Sequence, residues 1–218
     1  MVKDNKNYAK MMQKELDLLK KDPKPRLLLH VCCGPCFTIP YIELAPFFEI
    51  TVYYENSNIY PKKEYDRRLE ELQKYITKRQ YDIKVIAPPY NNEKFNVDLE
   101  PFADLPEGHE RCRICFRKRL TSLFQFASQN GYDYCGTALS ISRYKSASDV
   151  NKIGDELSAK YPNVKWLFAD FKKQNGYEKS LQICRDYKLY FQEYCGCIFS
   201  YQKYQKKVKN KQLEDKKT

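Results

Sequence analysis

The 218-residue chain has little glycine, 7 residues, and only 2 histidines and 1 tryptophan. Neither G-x-x-x-x-G-K-S/T nor G-x-G-x-x-G occurs, so phosphate-cradling loops of those two kinds are excluded. With His30 and His109 alone, no Ser-His-Asp arrangement is persuasive. No run of 18 apolar residues exists, which argues against a membrane-spanning helix. The stretch from Met1 to Lys24 is Lys-rich and lacks the apolar segment of a secretory signal, so a cytoplasmic location is expected.

What is present reads as a globular protein, with 42% hydrophobic and 31% charged residues. The length fits one domain whose core needs no disulfide staples. The formal charge is +11, and most of the excess sits at the two ends. Residues 1–26 carry 8 basic and 4 acidic groups, and residues 203–218 carry 7 and 2, which leaves 24 against 22 between them. A polyanion such as RNA is one partner that this charge fits, because Lys and Arg release counterions from phosphates; solvated tails would show the same composition.

Apolar runs and helical periods alternate along the chain. Short runs at 26–31, 48–54, 81–87, 132–137 and 164–168 read as strands, the first of them buried. Helical patterns cover 61–79, 111–130, 148–161 and 176–189, and another helix starts at Pro35. Met11, Met12, Leu16 and Leu19 make one stripe of a polar helix over 4–21, ended by Pro23 and Pro25. The stretch 90–110 reads as irregular, and a Tyr-rich helix is expected to end near Lys207. This order predicts an α/β fold, a parallel sheet with helices on both faces. The division is a polar N-terminal helix over 1–25, an α/β domain over 26–207 and a basic disordered tail over 208–218.

Nine cysteines are many for a chain without an export signal, and in a reducing compartment clusters of them mean metal binding or redox chemistry. Seven fall in three groups, Cys32-Cys33-x-x-Cys36, Cys112-x-x-Cys115 and Cys195-x-Cys197. Cys135 and Cys184 stand alone and read as small buried hydrophobes. The first group follows a strand directly, where sites lie in parallel sheets. The first two groups offer five thiolates where zinc or an iron–sulfur cluster takes four. A vicinal pair at a strand end, far in sequence from its partner pair, suits a cluster better than a compact zinc module. Positive charge around the second pair, Arg111, Arg113, Arg117, Lys118 and Arg119, favours thiolates, though part of it must be a solvated helix face. Gly196 between Cys195 and Cys197 permits a tight disulfide ring, strained and easily reduced, which suits an electron relay; a second metal site is the alternative. His30, on the first strand, reads as a core or supporting residue rather than a ligand.

Together these motifs resemble the QueH-type epoxyqueuosine reductases. The resemblance rests on Leu29-His30-Val31-Cys32-Cys33-Gly34-Pro35-Cys36, Cys112-x-x-Cys115, Asp170-Phe171-Lys172-Lys173 with Gly176-Tyr177, and Tyr194-Cys195-Gly196-Cys197-x-x-Ser200. It spans about residues 26 to 203 and departs at Phe191, where the family has Arg, and at Ser142-Arg143-Tyr144-Lys145-Ser146, where Ser-Pro-His/Tyr-Lys-Asn is usual. It implies a HUP-like fold and reduction of the epoxide of epoxyqueuosine at the wobble position of tRNA. It implies a [4Fe-4S] cluster on Cys32, Cys33, Cys112 and Cys115, and a redox-active disulfide between Cys195 and Cys197. Cys36 is then a spare thiol suited to an additional iron. Asp170, His109 and Tyr144 are available as proton donors, and the electron donor stays unidentified.

Three other classes of protein fit part of this pattern. A tRNA sulfur-transfer enzyme on the same general fold would need an S-G-G-x-D-S loop where this chain has Cys-Cys-Gly-Pro-Cys. A zinc-bound RNA-binding module would be colourless. A thiol–disulfide or peroxide-handling protein would work without metal.

Overall fold

A computed structural model describes residues 6–19 and 22–215, the last by its backbone alone. Five strands form one wholly parallel sheet: β1 (Arg26–His30), β2 (Glu49–Tyr53), β3 (Lys84–Ile86), β4 (Tyr134–Thr137) and β5 (Lys165–Trp166). Their order is β3-β2-β1-β4-β5. Leu27, Leu28 and Leu29 of the central strand are fully buried, as both faces of a parallel sheet require. The helices are α1 (Tyr8–Leu18), α2 (Gly34–Leu44), α3 (Lys62–Lys78), α4 (Asn92–Asn96), α5 (Glu110–Gln129), α6 (Ala147–Ser158), α7 (Gly176–Tyr187) and α8 (Ile198–Asp215). Six of them pack in two groups, α2 with α3 and α7, and α1 and α5 with α6. The expected three-layer α/β architecture is therefore present.

The chain starts in the middle of the sheet, builds outward through β2 and β3, then returns to place β4 on the other side of β1. Strand order thus reverses between β1 and β4, and the crevice beyond their C-terminal ends is where ligands bind in such sheets. β1 runs straight into Cys32-Cys33, and Cys33 caps α2 with Pro35 in its first turn. α2 is buried on nearly every side between its neighbours, consistent with its almost wholly apolar sequence.

Four details differ from the sequence pattern. The edge strands β3 and β5 are shorter, because each pairs on one side only. The stretch read as irregular contains α4, capped by the Asn91 side chain on the Lys94 amide, and a 3-10 turn at Glu100–Phe102. α1 is shorter than its predicted span, part of which lies outside the described residues. α8 continues to Asp215, eight residues past the expected end near Lys207, so the segment 208–215 read as disordered tail is helical here.

Gly154 of α6 lets that helix lie directly on Trp166 of β5. A Cβ there would overlap the indole ring, and the Trp166 Nε1–H is committed to Asn151 Oδ1 at 3.3 Å. Gly154→Ala is expected to cost about 1–3 kcal/mol as an overpacked core site, read as a lower urea midpoint at unchanged slope.

Candidate functional site

The β1–α2 turn brings three thiols together. Sγ of Cys33 and Cys36 are 2.8 Å apart, Cys32 and Cys36 3.3 Å, and Cys32 and Cys33 3.8 Å. All three are buried. Among the described residues no other group of three or more potential ligands has its ligand atoms within 4.8 Å of one another. The spacing is on the scale of a single ion, since metal–sulfur bonds of ~2.3 Å in a tetrahedron place sulfurs about 3.8 Å apart. A cubane spreads its thiolates more widely, so it needs donors beyond this turn.

Four further thiols line a narrow gap of about 40 Å³: Cys112 and Cys115 from the first turns of α5, and Cys195 and Cys197. The i, i+3 spacing sets Cys112 and Cys115 on one side of α5. Cys195 also reaches a larger cavity of about 340 Å³ that holds Cys36 and is walled by Tyr144, Tyr177 and Phe191. The structure thus joins all seven clustered cysteines into one neighbourhood, in two sets, with Cys195 next to both.

Buried cations face these thiols. Arg119 of α5 donates through Nε to His30 Nε2 at 3.3 Å and through Nη2 to Asn56 Oδ1 at 2.7 Å. His30 Nε2 also lies 3.1 Å from the Glu55 carbonyl oxygen, and its Nδ1 lies 2.8 Å from Thr137 Oγ1. Burial and the Arg119 charge push the His30 pKa down to about 3, so the ring is neutral and supports Arg119. Lys145 is 9% exposed and lines both the gap and the larger cavity. Burial works against its ammonium, but Cys195, Cys32 and Cys36 more than offset this and raise its pKa. Neither Arg119 nor Lys145 forms an ion pair with a carboxylate among the described residues. Two uncompensated buried cations are costly unless an anion joins them, and a thiolate-ligated metal or cluster is such an anion. The donor set therefore fits a cofactor of that kind.

The thiols answer to these charges. Hydrogen bonds from Cys33 and Cys36, helped by Lys145 and Arg119, hold Cys32 well below the usual thiol range. Burial pushes Cys33 up to about 12 and Cys115 up to about 11. One sulfur of the triad is thus primed as thiolate, and an incoming metal must displace the remaining protons.

The Cys195–Cys197 segment is held by another buried cation. Arg68 of α3 is paired with Glu64 at 2.7 Å and donates to the carbonyls of Tyr194 and Cys195, each at 3.1 Å. Tyr60 N–H adds a 2.7 Å bond to Gly196 O. Gly196 has φ +124°, and a side chain there would press on Arg68 and Ile59.

Other readings of the sequence sort as follows. Cys135 and Cys184 are buried alone, as expected. In the basic group of α5, Arg113, Arg117 and Lys118 make surface ion pairs with Glu110, Glu156 and Asp98, whereas Arg111 and Arg119 are buried. Of the three available proton donors, Tyr144 alone lines the cavities described above. Asp170 pairs with Lys172 at 3.1 Å, and His109 is exposed at the start of α5. Sequence reasoning missed Arg68. Its signal was a charge on the apolar face of α3, one turn after Glu64 and between Tyr65 and Leu72.

Fold and site together define a Rossmann-type α/β protein with a multi-thiol centre, competent for metal or redox chemistry, at the C-terminal edge of its sheet. The family model for epoxyqueuosine reductase QueH matches residues 27–203. The chain is 37% identical over 199 residues to epoxyqueuosine reductase QueH of Streptococcus pyogenes serotype M1, covering 89% of this chain and 78% of that protein. It is 38% identical over 201 residues to that of Staphylococcus aureus Mu50, covering 89% and 83%. Against that of Thermotoga maritima it is 32% identical over 179 residues, covering 80% and 89%. The chain belongs to the epoxyqueuosine reductase QueH family.

Proposed function

We propose that this chain reduces the epoxide of epoxyqueuosine in tRNA to give queuosine, in the cytoplasm. Family membership gives the reaction, and one feature of the site carries the reading: Cys112, Cys115, Cys195 and Cys197 share a gap with Arg119 and Lys145, buried cations without a carboxylate partner among the described residues. Among the described residues no helix is long and apolar enough to cross a membrane, which fits an enzyme of tRNA.

The conversion of an epoxide to an alkene takes two electrons and two protons and releases water. Two thiols that close to a disulfide release two electrons and two protons, so the Cys195–Cys197 pair balances one turnover. A [4Fe-4S] cluster on Cys32, Cys33, Cys112 and Cys115 would pass electrons singly, and an additional iron at Cys36 would act as Lewis acid on the epoxide oxygen. The chain itself provides the surroundings. Tyr144, Tyr177 and Phe191 offer faces on which a base can stack. Lys145 places an ammonium between that cavity and the thiols, where negative charge on the leaving oxygen would be stabilised.

The test is anaerobic purification with iron and sulfide analysis, followed by assay of epoxyqueuosine tRNA. Brown protein with about four irons and four sulfides, as a cubane requires, and queuosine as product are expected. Colourless protein with about one zinc on four thiolates, and no product, would move the chain to a metal-bound binding role. Lys145→Met is expected to lower turnover by about 10²-fold, the loss typical of one preorganised electrostatic donor, with iron content kept. The metal-free variant is expected to unfold at an equal or higher urea concentration than the metal-free parent, because an uncompensated buried charge has gone.

A further inference from the structure

Helix α8 is only partly covered by the rest of the protein. Tyr201, Tyr204 and Val208 are half-buried, and the other residues from 202 to 214 are exposed. Five lysines stand on that length, Lys203, Lys206, Lys207, Lys209 and Lys211, and none makes an ion pair among the described residues. No acidic residue occurs in the helix before Glu214. Like charges four apart destabilise a helix by a few tenths of a kcal/mol per pair, so this run is a cost unless a polyanion meets it.

Lys203, Lys207 and Lys211 lie at i, i+4 and i+8 and line one groove of about 570 Å³. Four residues of helix advance about 6 Å, comparable to the distance between neighbouring phosphates along one nucleic-acid strand. The groove also holds Cys112, Cys195 and Cys197, and it shares Glu107, Glu193 and Tyr194 with the Cys36 cavity. Glu193 accepts from Tyr204 Oη at 2.5 Å. Arg111 is turned inward, onto the carbonyls of Phe102, Ala103 and Leu105. The two carboxylates therefore mark the end shared with the reaction cavity, and the three lysines make the remainder positive. Tyr194 and Tyr204 stack beside it, ring centres 5.5 Å apart.

We infer that the Lys203–Lys207–Lys211 stripe is a phosphate track for the RNA strand whose base enters the Cys36 cavity. The inference rests on the tRNA reading above and adds the surface that holds the strand. A row of evenly spaced cations in a groove continuous with the cavity matches a backbone that must run past it. The match to the family model ends at residue 203, so Lys207 and Lys211 lie beyond it.

The test uses the full, cofactor-loaded chain and an unmodified anticodon stem–loop RNA hairpin, with fluorescence anisotropy across a salt series. K203Q/K207Q/K211Q is compared with K206Q/K209Q on the same helix. Glutamine and lysine have similar helix propensity, and circular dichroism checks that α8 is kept. The triple variant is expected to flatten the slope of log affinity against log salt by about 2, for three contacts at ~0.7 each on a single strand. The double variant should change it by less than half as much. An unchanged slope in the triple variant overturns the inference, as does an equal change in the double variant, which would reduce the effect to net charge. The hairpin carries no epoxide, so binding and catalysis fail separately. A wild-type chain that reduces epoxyqueuosine tRNA while the triple variant keeps the parental slope retains the function and loses the track.

Discussion

Cys115→Ser is expected to yield anaerobically purified protein without brown colour, with iron and sulfide lost and no turnover of epoxyqueuosine tRNA. A cubane takes four thiolates, and the β1–α2 turn offers three sulfurs packed at single-ion distances. The proposed remaining donors are Cys112 and Cys115 of α5, which line the narrow gap together with Cys195 and Cys197. Serine keeps the shape, and its hydroxyl does not ionise near neutral pH. Cys36→Ser separates the two roles in the triad. It is expected to keep four irons and four sulfides, because Cys36 opens toward the larger cavity, and to lose any iron beyond those four together with turnover. A chain that loses its cluster through Cys36→Ser and keeps it through Cys33→Ser would reverse the assignment of those two residues. Thermal unfolding of each metal-free variant separates loss of ligand from loss of fold.

The positions of the thiols were legible in the sequence, and their electrostatic setting was not. Cys32 and Cys33 follow an apolar run that reads as a buried strand, and parallel sheets bind ligands at that end. The spacing of Cys112 and Cys115 needs only a helix to place both on one side. Lys145 and Arg119 are different. Each looks like an ordinary surface cation in a Lys-rich chain, and each is buried through contacts made by distant elements, β1 and the 55–57 turn for Arg119. The same limit explains α8. Beyond Tyr204 only Val208 is half-buried, so no apolar period shows that the helix continues. The edge strands were overread because an apolar run records burial, and a strand ends where its single neighbour ends.

Cys195→Ser is expected to keep iron and sulfide and to abolish turnover with a dithiol reductant. Cys195 is the thiol common to the gap beside Cys115, the cavity beside Cys36 and the groove under α8. Its backbone is fixed independently of its side chain: Arg68 holds the carbonyls on either side of the Tyr194–Cys195 peptide nitrogen, and Tyr60 holds Gly196. A serine in that frame should therefore occupy the same place, so lost activity reports lost sulfur chemistry. With one thiol gone the pair cannot close, and its two electrons and two protons are withheld from the epoxide. Dithionite, which delivers electrons without a dithiol, distinguishes the roles. Partial recovery with dithionite means that the pair is a relay upstream of the reaction. No recovery, with the cluster still reducible by its absorption spectrum, means that the Cys195 sulfur is needed at the substrate itself. Undiminished turnover with the dithiol would remove the pair from the electron path, and Gly196, Arg68 and Tyr60 would then be holding a loop whose use is to shape the cavity.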